Sequence, residues 1–512
     1  MDIEIKRPRI IAFEITRKCK MKCVHCRASA ETGFSNDLST EQCKKIIKAV
    51  ADYNRCVLIF TGGEPFERAD IFELIDYAHS SGLVVSVATC GYDFDAEKAE
   101  KLKKSGVLTL SFSLDSNDEK VHDNFRQTEG AYAQTLAAIE IAKKAGLKFQ
   151  INTTVTKLNA DKLGELAKLA EDLGAYCFNP FMLVPAGRGK GLSDIALSSK
   201  EYEKTLRMAA ELKANSKIDV RFTCAPRFAA VFKERNPESK KKAFGCLAAS
   251  DFAFISYEGD VQTCGFLKIS AGNVLQAGDF GSIWEKSDFL NSIRLKKFSG
   301  KCERCKFIEI CGGCRARAFA QSGDYLSSDP LCSYNRLVST LIGAHIEEDE
   351  ISNAANEVNA IANVSHNYLR KHHYNLWFTL KASDDNEIDK ILDNLSLRFN
   401  TQFHSFPASK RHKIDSAAIK RHNPPENYNA MVCCRADGDV LEAAAKYLCG
   451  LPQVSHCYER EVLSHWPYNL YAMIHAQDNM QIHDIVGEFI GEFGIEDLEI
   501  LPTVKSLKEI KI

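Results

Sequence analysis

The chain has 512 residues, and its apolar and charged fractions, 45% and 26%, are those of an ordinary globular protein. This length predicts two to four domains, and the sequence contains no run of about eighteen apolar residues that would predict a membrane span. The net charge of −2 excludes a general attraction to nucleic acid or anionic membrane. The N-terminal segment MDIEIKRPRI lacks the apolar region of a signal peptide, so we expect a cytoplasmic protein.

The cysteine content is unusual for such a chain. Nineteen cysteines without an export signal indicate metal or redox chemistry rather than disulfides. Three of them lie within eight residues near the N-terminus, and seven lie between Cys246 and Cys332. This uneven distribution predicts cysteine-ligated sites in two regions of the chain.

The first part of the chain alternates short apolar runs with amphipathic helical patterns. We predict strands at Ile10–Ile15, Val57–Phe60, Val84–Ala88, Leu108–Ser113, Phe149–Val155 and Tyr176–Val184. The helices predicted between them are Thr40–Tyr53, Ile71–Ser80, Ala96–Lys104, Tyr132–Lys144 and Asp161–Leu173. Ser39 with Gln42 predicts a capping box at the first helix. Repeated βα units predict a parallel sheet, doubly wound or curled into a partial barrel, with its chemistry at the carboxyl ends of the strands.

A second segment, residues 240–335, is rich in cysteine and glycine and has weak periodicity. It is too irregular to stand on a hydrophobic core alone, so we expect metal to stabilise it. Its boundary with the first part is predicted in the basic stretch Glu234–Lys242.

The remainder of the chain contains an internal repeat. VSHNYLR at Val364–Arg370 recurs as VSHCYER at Val454–Arg460, and YNLWF at Tyr374–Phe378 recurs as YNLYA at Tyr468–Ala472. Each copy has the order strand, helix, strand, strand, helix, strand, which is the split βαβ plan. We expect the two copies to bury their sheet faces against each other, with a linker at Ala417–Tyr428.

The loop TRKCKMKCVHC directly follows the first predicted strand and carries Cys19, Cys23 and Cys26. Three thiolates on a [4Fe–4S] cluster leave one iron open for a chelating ligand. The amino and carboxylate groups of S-adenosylmethionine (SAM) suit that iron, and one-electron reduction would then yield a 5′-deoxyadenosyl radical. The alternative is a zinc knuckle with His25 as the fourth ligand.

Polar and glycine residues follow two other predicted strands. The second strand ends in TGGEP, where Gly62 and Gly63 allow close backbone approach and Glu64 can accept from an ammonium group. Hydroxyl and carboxylate groups at a later strand end suit a ribose and an amino-acid head group. The candidates there are Ser113, Asp115 and Arg126, and the alternative for each is an ordinary loop-capping role.

Residues 9–190 resemble the radical SAM family in the three-cysteine loop, the GGEP motif and the six βα units. The resemblance implies an α/β fold built on a partial (β/α)6 barrel of the TIM type. It also implies that Cys19, Cys23 and Cys26 bind the catalytic cluster. Gly62, Gly63 and Glu64 are then expected to meet the methionine moiety of SAM, and His25 to lie beside the adenine.

The later cysteines resemble the SPASM extension of radical SAM enzymes, which carries auxiliary iron–sulfur clusters. Seven cysteines are present where a two-cluster set has eight, so either one auxiliary cluster keeps an open iron or only one cluster forms. By analogy, one site comprises Cys302, Cys305, Cys311 and Cys332. The other three are Cys246, Cys264 and Cys314. A structural zinc is the alternative for the CxxC pair.

Within that superfamily, three segments resemble the haem b synthases: CRASA at Cys26–Ala30, CGFLKISAGNV at Cys264–Val274 and CGGCRARAFAQSGDY at Cys311–Tyr325. The resemblance implies oxidative decarboxylation of two propionates of iron-coproporphyrin III to vinyl groups. An auxiliary cluster would accept the released electron, and a ferredoxin or flavodoxin would serve as electron donor. A sister family with overlapping motifs converts 12,18-didecarboxysirohaem to iron-coproporphyrin III, and this alternative stays open.

The C-terminal repeat resembles the paired subunits of sirohaem decarboxylase, which belong to the AsnC/Lrp-like group and have ferredoxin-like α+β modules. The residues implied to line a tetrapyrrole site are His366, Tyr368, Arg370, His456, Tyr458 and Arg460. Neither copy begins with the helix-turn-helix of those subunits, which puts catalysis by this half in doubt. The alternative is a packing module, or a dimerisation module through which the chain forms oligomers.

These readings divide the chain into a radical SAM core at 1–235, a SPASM-like domain at 240–335, and two modules at 337–416 and 425–512. Two other functions compete with the haem b synthase reading. A peptide maturase shares the cysteine extension, although such enzymes often carry a leader-binding domain before the barrel. A non-catalytic haem sensor or carrier would use only the C-terminal repeat.

Overall fold

The computed structural model describes residues 5–34, 36–334, 338–382, 385–414 and 428–508. The chain forms two compact units, Met1–Tyr334 and Asn335–Ile512. The linker predicted at Ala417–Tyr428 lies outside the described residues except for Tyr428. None of the helices in the described ranges is long and apolar enough to cross a membrane.

The described part of the first unit is built on a nine-stranded sheet with the order β7-β6-β5-β4-β3-β2-β1-β8-β9. The strands are β1 Ile10–Thr16, β2 Val57–Gly62, β3 Val84–Thr89, β4 Thr109–Ser113, β5 Phe149–Val155, β6 Cys177–Met182, β7 Asp219–Val220, β8 Phe252–Ile255 and β9 Val261–Gln262. Strands β1 to β7 run parallel in chain order, as the repeated βα units predict. Their carboxyl ends therefore meet at one edge of the sheet.

Helices connect and flank these strands. They are α1 Thr40–Tyr53, α2 Ile71–Ser80, α3 Ala96–Lys104, α4 Glu119–Arg126, α5 Ala131–Lys144, α6 Leu163–Leu173, α7 Ser199–Asn215, α8 Arg227–Arg235, α9 Val274–Ala277, α10 Phe280–Lys286, α11 Asp288–Arg294 and α12 Arg315–Ser322. The capping box of Ser39 and Gln42 is confirmed at the start of α1. Gly174 ends α6 with φ 93°, a left-handed conformation that glycine adopts without a steric penalty.

The centre of this sheet joins the parallel βα units to the cysteine-rich segment. Strand β1 lies between β2 and β8, and Ile10 pairs with Phe252 of β8 in parallel register. Ile11, Phe13 and Ile15 of β1 are almost completely buried, and burying each side chain contributes about 1.5–3 kcal/mol. The cysteine-rich segment is thus anchored to the strand that leads into the first cysteine loop.

The second unit repeats one pattern twice, as predicted. The first copy comprises β10 Val338–Ala344, α13 Ile351–Ala360, β11 Val364–Arg370, β12 Leu376–Ala382, α14 Asp385–Phe399 and β13 Phe403–Ile414. The second copy comprises β14 Tyr428–Cys434, α15 Gly438–Gly450, β15 Val454–Arg460, β16 Leu470–Ala476, α16 Asn479–Phe493 and β17 Leu498–Ser506. The eight strands close into one barrel because β13 pairs with β15 and β17 pairs with β11 across the copies.

The barrel has two apolar faces. Phe378 and Leu380 of β12 pack with the helix residues Val358 and Leu392 on the outer face. Trp377, which directly precedes Phe378 in β12, belongs to a second cluster formed by strand and loop residues, including Phe406, Trp466 and Tyr471. Successive strand residues therefore alternate between the helices and the barrel interior.

Candidate functional sites

The three N-terminal cysteines lie in the loop that follows β1, at the carboxyl edge of the sheet. Cys19 and Cys23 are buried and Cys26 is partly buried. They share one cluster with Met21 and with Cys90, which follows β3. The structure therefore brings together the thiols that the sequence places in one loop.

Gly62 and Gly63 are required where β2 meets this loop. A Cβ atom on Gly62 would lie 2.2 Å from the carbonyl oxygen of Thr16, and one on Gly63 would lie 2.2 Å from that of Lys18. The amides of Gly63 and Glu64 donate to these same two oxygens at 2.8 and 2.9 Å. The backbone of the cysteine loop therefore occupies the space into which a Cβ atom on either glycine would project. Contact of the two glycines with SAM stays a prediction.

Glu64 is 3% exposed and binds the carboxyl end of the neighbouring strand, β3. Its carboxylate accepts from the hydroxyl of Thr89 at 2.9 Å and from the amide of Cys90 at 2.8 Å. Burial raises the pKa of Glu64. A hydrogen bond from the thiol of Cys90 is the main cause that lowers the pKa of Cys19. Glu64 thus acts on the cysteine loop through Cys90.

Arg126 and Asp115 form a buried ion pair beside Cys23. Nε of Arg126 donates to Oδ2 of Asp115 at 2.7 Å, and Nη1 donates to the sulfur of Cys23 at 3.7 Å. Burial alone would raise the pKa of Asp115, but the charge of Arg126 lowers it. Ser113 ends β4 two residues before Asp115 and is partly buried. The pair orients Cys23, and its direct contact with a cofactor stays a prediction, as does that of Ser113.

His25 presents a flat, neutral ring at the same edge. It stacks on Phe125 with ring centroids 4.1 Å apart and an interplanar angle of 9°. Burial lowers the pKa of His25 to about 3. Its Nδ1 atom is buried and has no hydrogen-bond partner among the residues that the structure describes. Such a nitrogen suits a ligand that supplies the missing partner.

Arg188 is a residue of this site that the sequence reasoning missed. Its Nε donates to the carbonyl of Cys23 at 2.8 Å and its Nη1 to that of Ala30 at 2.7 Å. Gly187 lies so close that an added Cβ would be 2.4 Å from the carbonyl of Cys26. The glycine-bearing loop after β6 was the available signal, but nothing local connects it with the cysteine loop.

The auxiliary cysteines separate into two groups in the structure. Burial and the charges of Cys332, Asp329 and Cys302 raise the pKa of Cys311 to about 12. The amide of Cys305 donates to the carbonyl of Cys302 at 3.2 Å, which places Cys305 in the same turn. The assignment of these cysteines to one cluster stays a prediction.

The other group contains Cys264 and Cys314, which pack in one apolar cluster. Cys246, the third predicted member of this group, is exposed. In the described ranges, no three His, Cys, Asp or Glu side chains converge closely enough to hold a single metal ion. A [4Fe–4S] cluster distributes its thiolates over different irons, so its ligands need not converge on one point.

The C-terminal candidates of the first copy form a column on β11. His366 and Tyr368 stack with centroids 6.1 Å apart, and the guanidinium of Arg370 lies 5.2 Å from the centre of the Tyr368 ring. Tyr368 pairs directly with Trp377, which places the column on the inner face of the barrel. His366 has a lowered pKa because of burial.

The second copy repeats this column on β15. His456 and Tyr458 stack at 6.2 Å, and Arg460 lies 4.9 Å from the centre of the Tyr458 ring. Burial, followed by the charge of His366, lowers the pKa of His456 to about 4. In each copy the histidine Nδ1 is bonded to the preceding serine hydroxyl, which at Ser455 is 2.9 Å away.

Arg370 and Arg460 donate hydrogen bonds to the barrel backbone, but not all of their N–H groups have a partner in the described residues. Nη1 of Arg370 donates to the carbonyl of Leu501 at 3.0 Å, and Nη1 of Arg460 donates to that of Phe406 at 2.6 Å. The Nε atoms of both arginines are buried without a hydrogen-bond partner in the described part of the chain. The geometry therefore fits a packing role and leaves one donor on each arginine for an anion.

Known families match all three regions. The radical SAM superfamily matches residues 13–170, and the SPASM iron–sulfur cluster-binding domain matches 246–315. The AsnC-like ligand-binding domain matches twice, at 337–413 and 427–508. The structure of Streptococcus suis SuiB bound to S-adenosylmethionine has a similar fold, with a TM-score of 0.53 and 17% identity over 64% of this chain and 77% of that chain. The fold and these matches define a radical SAM oxidoreductase-type enzyme whose cofactors are a [4Fe–4S] cluster, SAM and auxiliary clusters.

Proteins of similar sequence indicate which radical SAM enzymes this chain resembles. The AdoMet-dependent heme synthase of Nitratidesulfovibrio vulgaris is 38% identical over 339 residues, which cover 64% of this chain and 92% of that protein. The Fe-coproporphyrin III synthase of Methanosarcina barkeri is 31% identical over 355 residues, covering 64% and 88%. The chain therefore belongs to the radical SAM superfamily, with AdoMet-dependent heme synthases among its homologues. The resemblances to radical SAM, SPASM and AsnC-like proteins are confirmed.

Proposed function

We propose that the first unit converts two propionates of iron-coproporphyrin III to vinyl groups and so forms haem b. The observation that carries this proposal is the 38% identity to an AdoMet-dependent heme synthase, which runs through the barrel and the cysteine-rich segment together. The Fe-coproporphyrin III synthase relative supports the second candidate, in which didecarboxysirohaem is the substrate. Both candidates are radical modifications of an iron tetrapyrrole.

The residues around the N-terminal loop fit the cofactors of this reaction. Three thiols of one loop, Cys19, Cys23 and Cys26, would hold the cluster, and the unpartnered Nδ1 of His25 would face SAM. A [4Fe–4S] cluster held by these thiols would provide the one-electron chemistry that cleaves SAM. Burial raises the pKa of Cys23, and the charge of Arg126, which donates to its sulfur, opposes that shift. Glu64 fixes the loop from the opposite strand end through the amide of Cys90.

The electron balance gives the later cysteines a role. Conversion of one propionate to a vinyl group removes one hydrogen atom, one carbon dioxide and one electron from the side chain. The auxiliary cysteines lie in the unit that also contains β1, and an oxidised iron–sulfur cluster held by them would accept that electron. A ferredoxin or flavodoxin would supply the electron for SAM cleavage. We place the enzyme in the reducing cytoplasm, because its cysteines must stay as thiols to bind iron.

We propose that the second unit binds the tetrapyrrole, either as a sirohaem decarboxylase or to capture substrate. His366 and His456 have lowered pKa values and are neutral at pH 7. Serine holds Nδ1 of each ring, which leaves Nε2 for the iron of a macrocycle. The free Nε–H groups of Arg370 and Arg460 suit its carboxylates.

The first experiment offers iron-coproporphyrin III, sirohaem and didecarboxysirohaem separately to anaerobically reconstituted protein with SAM and a reductant. We expect 5′-deoxyadenosine and haem b from iron-coproporphyrin III alone. The triple variant Cys19→Ala/Cys23→Ala/Cys26→Ala should be inactive, while Cys43→Ala, a buried thiol of α1, should retain activity. Turnover of only didecarboxysirohaem would move the assignment to the second candidate. The absence of any tetrapyrrole product would overturn both candidates.

The second experiment measures the Soret spectrum of the full chain as haem or sirohaem is added. We expect His366→Ala and His456→Ala to weaken binding, and the exposed histidine variant His483→Ala to bind as the parent does. Conversion of sirohaem without SAM would identify a decarboxylase. Equal binding by all three variants would leave the second unit as a packing module.

A further inference from the structure

Cys224 lies with the incomplete auxiliary group, although no sequence motif includes it. It follows Thr223, which extends β7 by a bridge to Phe181, and it precedes α8. It lies outside the SPASM match at 246–315. The predicted group of Cys246, Cys264 and Cys314 has one cysteine fewer than a four-thiolate site requires.

Cys224 packs in the same apolar cluster as two cysteines of that group, Cys264 and Cys314. Cys224 and Cys264 both pack against the apolar cluster that contains Cys314. A further thiol therefore lies in the same cluster as Cys264 and Cys314, although both are far from it in sequence.

The backbone at Cys224 is fixed in an unusual conformation. Its φ is 56°, in the left-handed region that residues other than glycine and asparagine rarely adopt. Residues held in such conformations cluster at functional sites, where the surrounding structure compensates their strain.

A buried ion pair ties Cys224 to Cys314. Nη1 of Arg317 donates to the carbonyl of Cys224 at 2.6 Å, while its Nε and Nη2 donate to Asp329 at 3.0 and 2.7 Å. Asp329 in turn accepts from the amide of Cys314 at 2.8 Å. Arg317 is 2% exposed and Asp329 is 3% exposed, so this connection is rigid and shielded from water. It sets the backbones of two cysteines that are 90 residues apart in sequence.

We propose that Cys224 is the fourth thiolate of the auxiliary site formed by Cys246, Cys264 and Cys314. Each thiol loses its proton to solvent as it binds iron, and no change of oxidation state is needed. A cluster with four thiolates has no open iron, so it relays electrons and does not bind substrate. The inference rests on the auxiliary cluster of the proposed function but not on the identity of the substrate.

The test isolates the auxiliary iron in full-length protein whose three N-terminal loop cysteines are alanine. After anaerobic reconstitution, iron and sulfide per chain are measured and Mössbauer spectra are recorded. In this background Cys224→Ala should lose the whole cluster, which is about four irons per chain, or a single iron. In the second case the remaining iron should give the Mössbauer spectrum of a three-iron cluster. Cys177→Ala, which removes a buried thiol from the neighbouring strand β6, should keep the parent iron content and spectrum.

Cys224→Ser guards against a folding defect, because a serine oxygen can replace the thiolate. It should retain iron with a shifted Mössbauer spectrum. Iron content and spectra equal to those of Cys177→Ala in both Cys224 variants would overturn the proposal. Substrate turnover plays no part in these readouts, so a wrong tetrapyrrole assignment would leave the result intact.

Discussion

The guanidinium nitrogen Nη1 of Arg126 lies 3.7 Å from the sulfur of Cys23. The same side chain binds Asp115, whose other oxygen accepts from the amide of Thr154 on β5 at 2.7 Å. A single buried cation therefore connects the cysteine loop with two strand ends. Arg126 is 7% exposed and Asp115 is 2% exposed, so water cannot replace either partner.

Arg126→Gln should destabilise the first unit strongly. It leaves the Asp115 carboxylate buried without its cation, which typically costs about 3–5 kcal/mol. Anaerobic denaturant unfolding and iron content check this expectation, and both should fall. Arg221→Gln is the control, because its ion pair with Asp219 is exposed and is worth about 1 kcal/mol or less. Equal losses in the two variants would show that Arg126 has no special role.

Gly63→Ala should disrupt the first cluster site. Its Cβ would lie 2.2 Å from the carbonyl of Lys18, so β2 and the cysteine loop must separate. We expect loss of SAM cleavage and of the cluster signal that SAM perturbs in electron paramagnetic resonance. Gly164→Ala, in α6, is the matched control, because a Cβ atom at that position would meet no other atom within 4 Å. That control should be neutral or more stable by about 0.5–1 kcal/mol.

Gly245→Ala should affect the auxiliary cysteines instead. A Cβ there would lie 2.2 Å from the carbonyl of Ile310 and 3.0 Å from that of Cys311. The segments that carry Cys246 and Cys311 must then move apart. We expect lower total iron, whereas the SAM-perturbed signal of the first cluster should persist. A variant that loses both signals together would indicate general unfolding.

Local patterns predicted the elements of the first unit well. Strand β5 and helix α1 have the predicted bounds, Phe149–Val155 and Thr40–Tyr53, because apolar periodicity and capping act within a few residues. The repeat predicted the elements of the second unit in the same way. The barrel closure was not predicted, because the pairing of β13 with β15 depends on strand edges from two copies. Local periodicity predicts the strands themselves but not which strand of one copy pairs with which strand of the other.

The site was predictable where its residues are close in sequence. Cys19, Cys23 and Cys26 form one loop, and Gly62, Gly63 and Glu64 form one turn. Cys90, Arg188 and Cys224 escaped prediction because each meets its partners only after folding. Arg188, for example, binds the carbonyl of Cys23 across 165 residues of chain. Their assignment therefore needs coordinates.

The buried histidine of the second unit predicts a pH dependence. The pKa of His456 is about 4 in the folded chain, below the ordinary value of 6.5. The unfolded chain therefore binds the proton first as the pH falls below about 6.5. The free energy of unfolding should decrease between about pH 6.5 and pH 4, by at most about 3 kcal/mol from this group, and this contribution should be constant at higher pH.

His456→Phe should reduce that decrease, because phenylalanine does not titrate. Tryptophan fluorescence follows the second unit, since two of the three tryptophans, Trp377 and Trp466, lie in its barrel. The difference in unfolding free energy between variant and parent should grow as the pH falls. His483→Gln, at an exposed position of α16, controls for the loss of a histidine and should follow the parent. Parallel curves for His456→Phe and the parent would mean that the His456 ring is accessible to protons in the folded barrel.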